Sequence, residues 1–163
     1  MPDTSAESAR IRPSDRQRQL AVLASQRFGG SGAPPIASAL GVAADIADHL
    51  VGRFGSEALG VATGCRATPG GTELLVPGLP YLRGEALHAV TNEVACSLAD
   101  VLCRRTRAAI LDRDATLPAA SDVAGLIATD LGWSRSRQLD ETASFAEASA
   151  RATASGPTVG GSV

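Results

Sequence analysis

Apolar residues in this chain recur three and four positions apart and nowhere alternate over a length that a β-strand needs, so its buried surface has to lie on helices. Residues 42–54 are the clearest case: Val42, Ile46, Leu50 and Phe54 repeat every four positions, with Ala43 and Ala47 beside them. Gly55 follows, free to take the left-handed backbone that ends a helix, and Ser56 is placed to cap a short second helix through about Val61. Residues 64–72, with Gly64, Pro69, Gly70 and Gly71, read as a loop. Pro77-Gly78-Leu79-Pro80 then turns the chain into a helix from Tyr81, whose stripe is Leu82, Ala86, Ala89, Val90 and Val94. Ser97 caps the next helix, with Asp100 at the reciprocal position of a Ser-x-x-Asp box and Leu98, Val101 and Leu102 facing inward. The pattern breaks around Pro118. Ser121 caps a helix carrying Val123, Ile127 and Leu131 that ends at Gly132, and Ser134 caps a last one carrying Leu139, Ala143, Ala146 and Ala150.

The expected fold is therefore all-α, a small helical bundle of about five to six helices over residues 36–151. Residues 1–35 form a flexible N-terminal segment with one helix at 14–28 and a Gly29-Gly30-Ser31-Gly32-Ala33-Pro34-Pro35 linker, and 152–163 form a disordered tail. With aromatics at only 3%, Leu, Val, Ile and Ala must fill the core, which suits closely packed Ala-rich helices.

Charge and cysteine usage narrow the function classes. The net charge is −2, and all 15 basic residues are arginines, so the surface as a whole does not neutralise phosphates and no nucleic-acid partner is expected. A small helical regulator or nucleic-acid-binding module is the competing class; Arg10, Arg12, Arg16 and Arg18 near the start, with Arg104 to Arg107, are its support. Cys65, Cys96 and Cys103 form no Cys-x-x-Cys pair and read as free thiols of a reducing compartment. Together with His49 and His88 they lack the short spacings of a metal site. No apolar leader and no run of about 18 apolar residues is visible, so a cytoplasmic protein without a transmembrane segment is expected.

Residues 74–107 are more specific. Leu74-Leu75-Val76-Pro77-Gly78-Leu79-Pro80-Tyr81-Leu82-Arg83-Gly84-Glu85, then Asn92-Glu93, then Ser97-Leu98-Ala99-Asp100-Val101-Leu102-Cys103-Arg104-Arg105-Thr106-Arg107 form an ordered series. It resembles the C-terminal helical cap domain of FAD-dependent glycerol-3-phosphate dehydrogenases and α-glycerophosphate oxidases. In that family a Tyr-Leu-x-x-Glu helix precedes an acidic residue and an Asp-x-x-x-Arg-Arg-Thr segment. His49-Leu50-Val51-Gly52-Arg53-Phe54-Gly55-Ser56 and Leu131-Gly132-Trp133 are similar to the family's flanking motifs. The resemblance covers about residues 42–150.

The resemblance implies the family reaction, sn-glycerol 3-phosphate to dihydroxyacetone phosphate with electrons passing through FAD to quinone. The flavin domain that performs it opens with a Gly-x-Gly-x-x-Gly turn between strand and helix, and Gly29-Gly30-Ser31-Gly32 has neither that spacing nor a strand before it. The expectation is thus a chain with no cofactor and no catalytic residue of its own, inactive alone, partnered by a separately encoded flavin domain through which any peripheral membrane association would come. The candidate contacts for a partner or a phosphate are Arg83, Glu85, Glu93, Asp100, Arg104, Arg105 and Arg107, because guanidinium groups make bidentate contacts to carboxylate or phosphate. The structural alternative pairs Arg104 with Asp100 and Arg105 with Glu85 or Glu93 inside the bundle.

Overall fold

The computed structural model describes residues 33–154, and the helix expected at 14–28 lies outside them. Seven α-helices form, with no strand among the described residues: α1 (Ala33–Leu40), α2 (Ala44–Phe54), α3 (Ala58–Ala67), α4 (Arg83–Asn92), α5 (Ala108–Leu111), α6 (Arg113–Leu131) and α7 (Arg135–Ala154). The protein is all-α, as its apolar spacing requires.

Two cores hold it together. Helices α1 to α3 close around Ile36, Ala47, Leu50, Ala58, Val61, Ala62 and Cys65, and Leu82 plugs the same core from the next segment. Helices α4 to α7 bury Ala86, Ala89, Leu98, Val101, Leu102, Val123, Ile127 and Phe145 in the other. Phe145 is the sole phenylalanine in that second core, so small and branched residues do fill the space.

Local signals place most helix ends. Gly55 takes φ 54° and its N–H bonds the Val51 carbonyl, ending α2. Gly132 takes φ 64° and ψ 32°, and the Trp133 N–H reaches back 2.8 Å to the Ala128 carbonyl, closing α6. The Ser134 hydroxyl accepts from the Arg137 N–H at 3.2 Å and starts α7.

Several boundaries differ from the sequence reading. Ser56 caps nothing: a 3₁₀ turn at Gly55–Glu57 leads straight into α3, which runs to Ala67, four residues into the stretch read as a loop. Helix α1 takes in Pro34 and Pro35, assigned to the linker, because the first turn has no intrahelical use for the missing N–H. Pro118 does not break the pattern; it sits inside α6, whose start is the Asp112 carboxylate accepting from the Ala115 N–H at 2.9 Å, so Ser121 is mid-helix. One lost hydrogen bond near a helix start is small against the buried face that α6 supplies through Thr116, Ala120, Val123, Ala124, Ile127 and Ala128. In α7 the inward face is Phe145, with Gln138, Thr142 and Ser149 half-buried; Leu139, Ala143, Ala146 and Ala150 point to solvent. Alanine carries too little apolar area to orient a helix, and one phenylalanine decides it.

Cys65 lies at the contact of α3 with α4 and is 1% exposed. Burial first, then the charge of Glu85, pushes its thiol up to about 12. The unfolded chain releases this proton above about pH 8.5 while the folded chain keeps it. Its contribution to stability is therefore intact below that pH and is lost as pH rises toward 12, with a slope of about 1.4 kcal/mol per pH unit. Urea unfolding from pH 8 to 11 should show a steeper decline for the native chain than for Cys65→Ala. Parallel declines would show that Cys65 does not titrate as stated.

Candidate functional site

Between α3 and α4 the chain makes a loop, residues 68–82, that is pinned at both ends. The Leu75 N–H bonds the Tyr81 carbonyl at 2.8 Å, and the Arg83 N–H bonds the Glu73 carbonyl at 2.9 Å. This fixes Tyr81 beside α2, where its ring meets His49 edge-on at 4.8 Å between centroids.

Directly beneath lies Glu85, with no solvent exposure. Its Oε2 meets His49 Nε2 at 2.9 Å and accepts from Arg53 Nη1 at 3.2 Å; its Oε1 accepts from the Leu82 N–H at 2.8 Å. His49 and Arg53 are four residues apart and so share one face of α2. A single buried carboxylate thus caps α4 and ties it to α2. Arg53 also reaches Glu93 through Nη2 at 3.5 Å.

The fourth side of the site is a π-helix at Asp100–Arg105. Its i→i−5 closure is explicit: the Thr106 N–H bonds the Val101 carbonyl at 2.9 Å, and the buried Thr106 hydroxyl donates to the same carbonyl at 2.8 Å. Ser97 was expected to cap an ordinary helix here. Its hydroxyl does accept from the Asp100 N–H at 3.1 Å, but the Asp100 carboxylate accepts from the Cys96 N–H, one residue earlier than a capping box requires. The widened turn swings consecutive arginines toward one place. Burial opposes ionisation of Asp100, yet the Cys96 N–H, the Ser97 hydroxyl and the ion-paired Arg104 together outweigh it and lower its pKa.

The result is a cleft of about 540 Å³ lined by His49, Gly52, Arg53, Tyr81, Glu93 and the run Arg104-Arg105-Thr106-Arg107. Four guanidinium groups face it against one carboxylate. Arg104 pairs with Asp100 as the spacing suggested, and Arg105 Nε lies 3.8 Å from Glu93. Arg107 has no ion pair among the described residues and is held at φ 58°, in the left-handed region.

Of the seven residues singled out from sequence, Glu93, Arg104, Arg105 and Arg107 line the cleft. Asp100 and Glu85 support it through their partners. Arg83 does not belong to it: it pairs with Asp122 and holds α4 to α6. His49, Arg53, Tyr81 and Thr106 also line it; the His-Leu-x-x-Arg spacing was the visible signal for the first two.

Val94 is also displaced from its expected inward position. Helix α4 ends at Asn92, and Val94 lies 77% exposed at φ 58°, where a β-branched residue is strained. Val94→Gly should raise stability by about 1 kcal/mol, read as a higher midpoint in urea, because strain is removed and little burial is lost. A lower midpoint would show that the side chain makes contacts outweighing its strain.

Residues 15–138 match the family described as the C-terminal domain of alpha-glycerophosphate oxidase. The chain belongs to that family. It is similar to a probable mitochondrial glycerol-3-phosphate dehydrogenase of Dictyostelium discoideum, 36% identical over 97 residues, which are 60% of this chain and 15% of that protein. It is similar to one of Caenorhabditis elegans, 37% identical over 102 residues, which are 60% of this chain and 14% of that protein. With the mitochondrial glycerol-3-phosphate dehydrogenase of Homo sapiens it shares 33% identity over 98 residues, 57% of this chain and 13% of that one. The chain thus spans about one-seventh of the length of the curated relatives it matches. No solved structure matches it significantly. Among the described residues no helix is long and apolar enough to cross a membrane.

The strand and glycine turn by which the doubly wound fold brings the pyrophosphate of FAD to backbone N–H groups are absent among the described residues, whose regular elements are helices.

Proposed function

We propose that this chain is the non-catalytic helical C-terminal module of an FAD-dependent glycerol-3-phosphate dehydrogenase or oxidase system, and that it acts by packing on a flavin domain. The single observation that supports this most is the confinement of the match to the C-terminal domain of the family, joined to a helical architecture without a dinucleotide turn among the described residues. The flavin domain supplies the oxidation of sn-glycerol 3-phosphate; the helical module supplies a surface and helps shape the pocket in which that substrate is held. Membrane association, where it occurs, comes through that partner. Cys65, Cys96 and Cys103 are all unpaired, which supports a reducing, cytoplasmic setting.

Co-expression provides the test. The 163-residue chain purified alone should show no flavin absorption near 450 nm and no glycerol 3-phosphate oxidation. Produced together with a flavin domain of the family, it should co-purify and raise quinone-linked turnover over the flavin domain alone. Stoichiometric flavin in the isolated chain would overturn the non-catalytic reading, and failure to co-purify would overturn the docking role.

A further inference from the structure

Unpaired charge, exposed apolar side chains and backbone strain meet at the rim of the cleft. Arg53 is occupied by Glu85 and Glu93, and Arg104 by Asp100. Arg105 touches Glu93 only through Nε, so its two terminal amino groups have no protein partner among the described residues. Arg107 is exposed and has no ion pair among them. Large apolar side chains lie in water beside these groups: Val94 is 77% exposed, Ile110 70% and Leu111 62%. Val94 follows Glu93 of the lining, and the N–H groups of Ile110 and Leu111 both bond the Arg107 carbonyl, at 3.0 and 3.1 Å. Val94 and Arg107 are also the two non-glycine residues at positive φ among the described ones. Strain of that kind collects at binding sites.

On the reading that this module docks on a flavin domain, we infer that the arginine cleft and its apolar rim are the docking surface, and that the occupant is an acidic segment of that domain with two carboxylates beside an apolar side chain. A guanidinium fork takes one carboxylate through two parallel hydrogen bonds, so the free ends of Arg105 and Arg107 take two. Glu93 is the one acidic side chain in the lining, and its charge is offset by Arg53 at 3.5 Å and Arg105 at 3.8 Å. The positive charge is local, because the whole chain carries −2. A long polyanion such as DNA would meet acidic surface beyond the cleft, whereas a short acidic segment meets only the arginines. Arginine with large apolar residues beside it is also the composition of a protein–protein contact, and exposed apolar side chains gathered at one place mark such contacts. The partner has the length to supply the segment: the matched residues are 15% of the Dictyostelium relative, so most of that protein lies outside the region this chain represents.

The test is the affinity of the full chain for a flavin domain of the family produced without its own C-terminal domain. Arg107→Glu and Arg105→Glu should each weaken binding about a hundredfold, and Arg107→Gln about tenfold. Replacing Ile110 and Leu111 together by Ser should weaken it several-fold. Arg151→Glu makes the same change of net charge on the exposed end of α7 and should bind as the native chain does. Cys96 is exposed two residues beyond Val94, so its alkylation by a maleimide, followed by mass spectrometry, should slow several-fold in the native complex. Native affinity in Arg105→Glu and Arg107→Glu chains that circular dichroism shows folded, with Cys96 unprotected, overturns the cleft and leaves docking to another face. A native chain that does not bind the flavin domain overturns the docking role and this surface together. Binding to duplex DNA or to phosphatidylglycerol vesicles that Arg107→Glu abolishes, while affinity for the flavin domain is unchanged, also overturns it, because the arginines then serve another polyanion.

Discussion

Glu85→Ala should destabilise the protein by about 3–5 kcal/mol, enough to leave a domain of ordinary stability close to unfolded at 37 °C. The carboxylate is wholly buried and is the shared acceptor for His49, Arg53 and the Leu82 N–H. Removing it leaves the Leu82 N–H without an acceptor in the interior and takes from the half-buried Arg53 the nearer of its two carboxylates, with only Glu93 at 3.5 Å left to balance it. Glu85→Gln separates the two roles. Its carbonyl can still accept from Leu82 and keep α4 capped, but it no longer balances Arg53, so about half the loss is expected. The same substitution should make Cys65 easier to alkylate, because the Glu85 charge is the second influence, after burial, that raises the thiol's pKa. Urea unfolding with thiol labelling reads both effects. Equal stabilities for Ala and Gln would mean that the carboxylate's charge is irrelevant.

The second large effect comes from a residue with no side chain. Gly84 lies on α4 where it crosses α3, and a Cβ there would sit 2.5 Å from Cys65 Sγ and 2.6 Å from Cys65 Cα. The thiol can rotate away; the Cα cannot. Gly84→Ala should therefore force the two helices apart and cost about 3 kcal/mol, lowering Tm by roughly 6–12 °C. Adding Cys65→Ala should not rescue it, since the backbone clash remains. Gly125→Ala is the control: it is helical, exposed and has nothing within 4 Å, so it should stabilise by about 0.5–1 kcal/mol. Rescue of Gly84→Ala by Cys65→Ala would show that only the sulfur is in the way.

These two positions also show where sequence reasoning stops. Spacing alone identified the helical class, the α2 stripe through Leu50, and the glycine ends at Gly55 and Gly132, because each depends on residues close together in the chain. It placed Arg104 against Asp100 for the same reason. It misjudged α6, where Pro118 seemed an interruption, and α7, where four small or aliphatic residues suggested a buried face that Phe145 took instead. It expected Glu85 or Glu93 to meet Arg105; Glu93 does, while Glu85 is claimed by Arg53, 32 residues earlier.

What the amino-acid order determined by itself was the period of its apolar residues, the capping and terminating groups, and the ordered motifs of its family. All are interactions across a few residues, where the helix geometry is known in advance. The tertiary structure alone decided that His49, Arg53, Tyr81 and the π-turn arginines surround one cleft, that Glu85 lies beneath it, and that Arg83 is excluded from it. Those placements depend on how α2, α4 and the turn after Asp100 pack, and packing rewards area and shape summed over both cores, a sum to which no short stretch of residues holds the key.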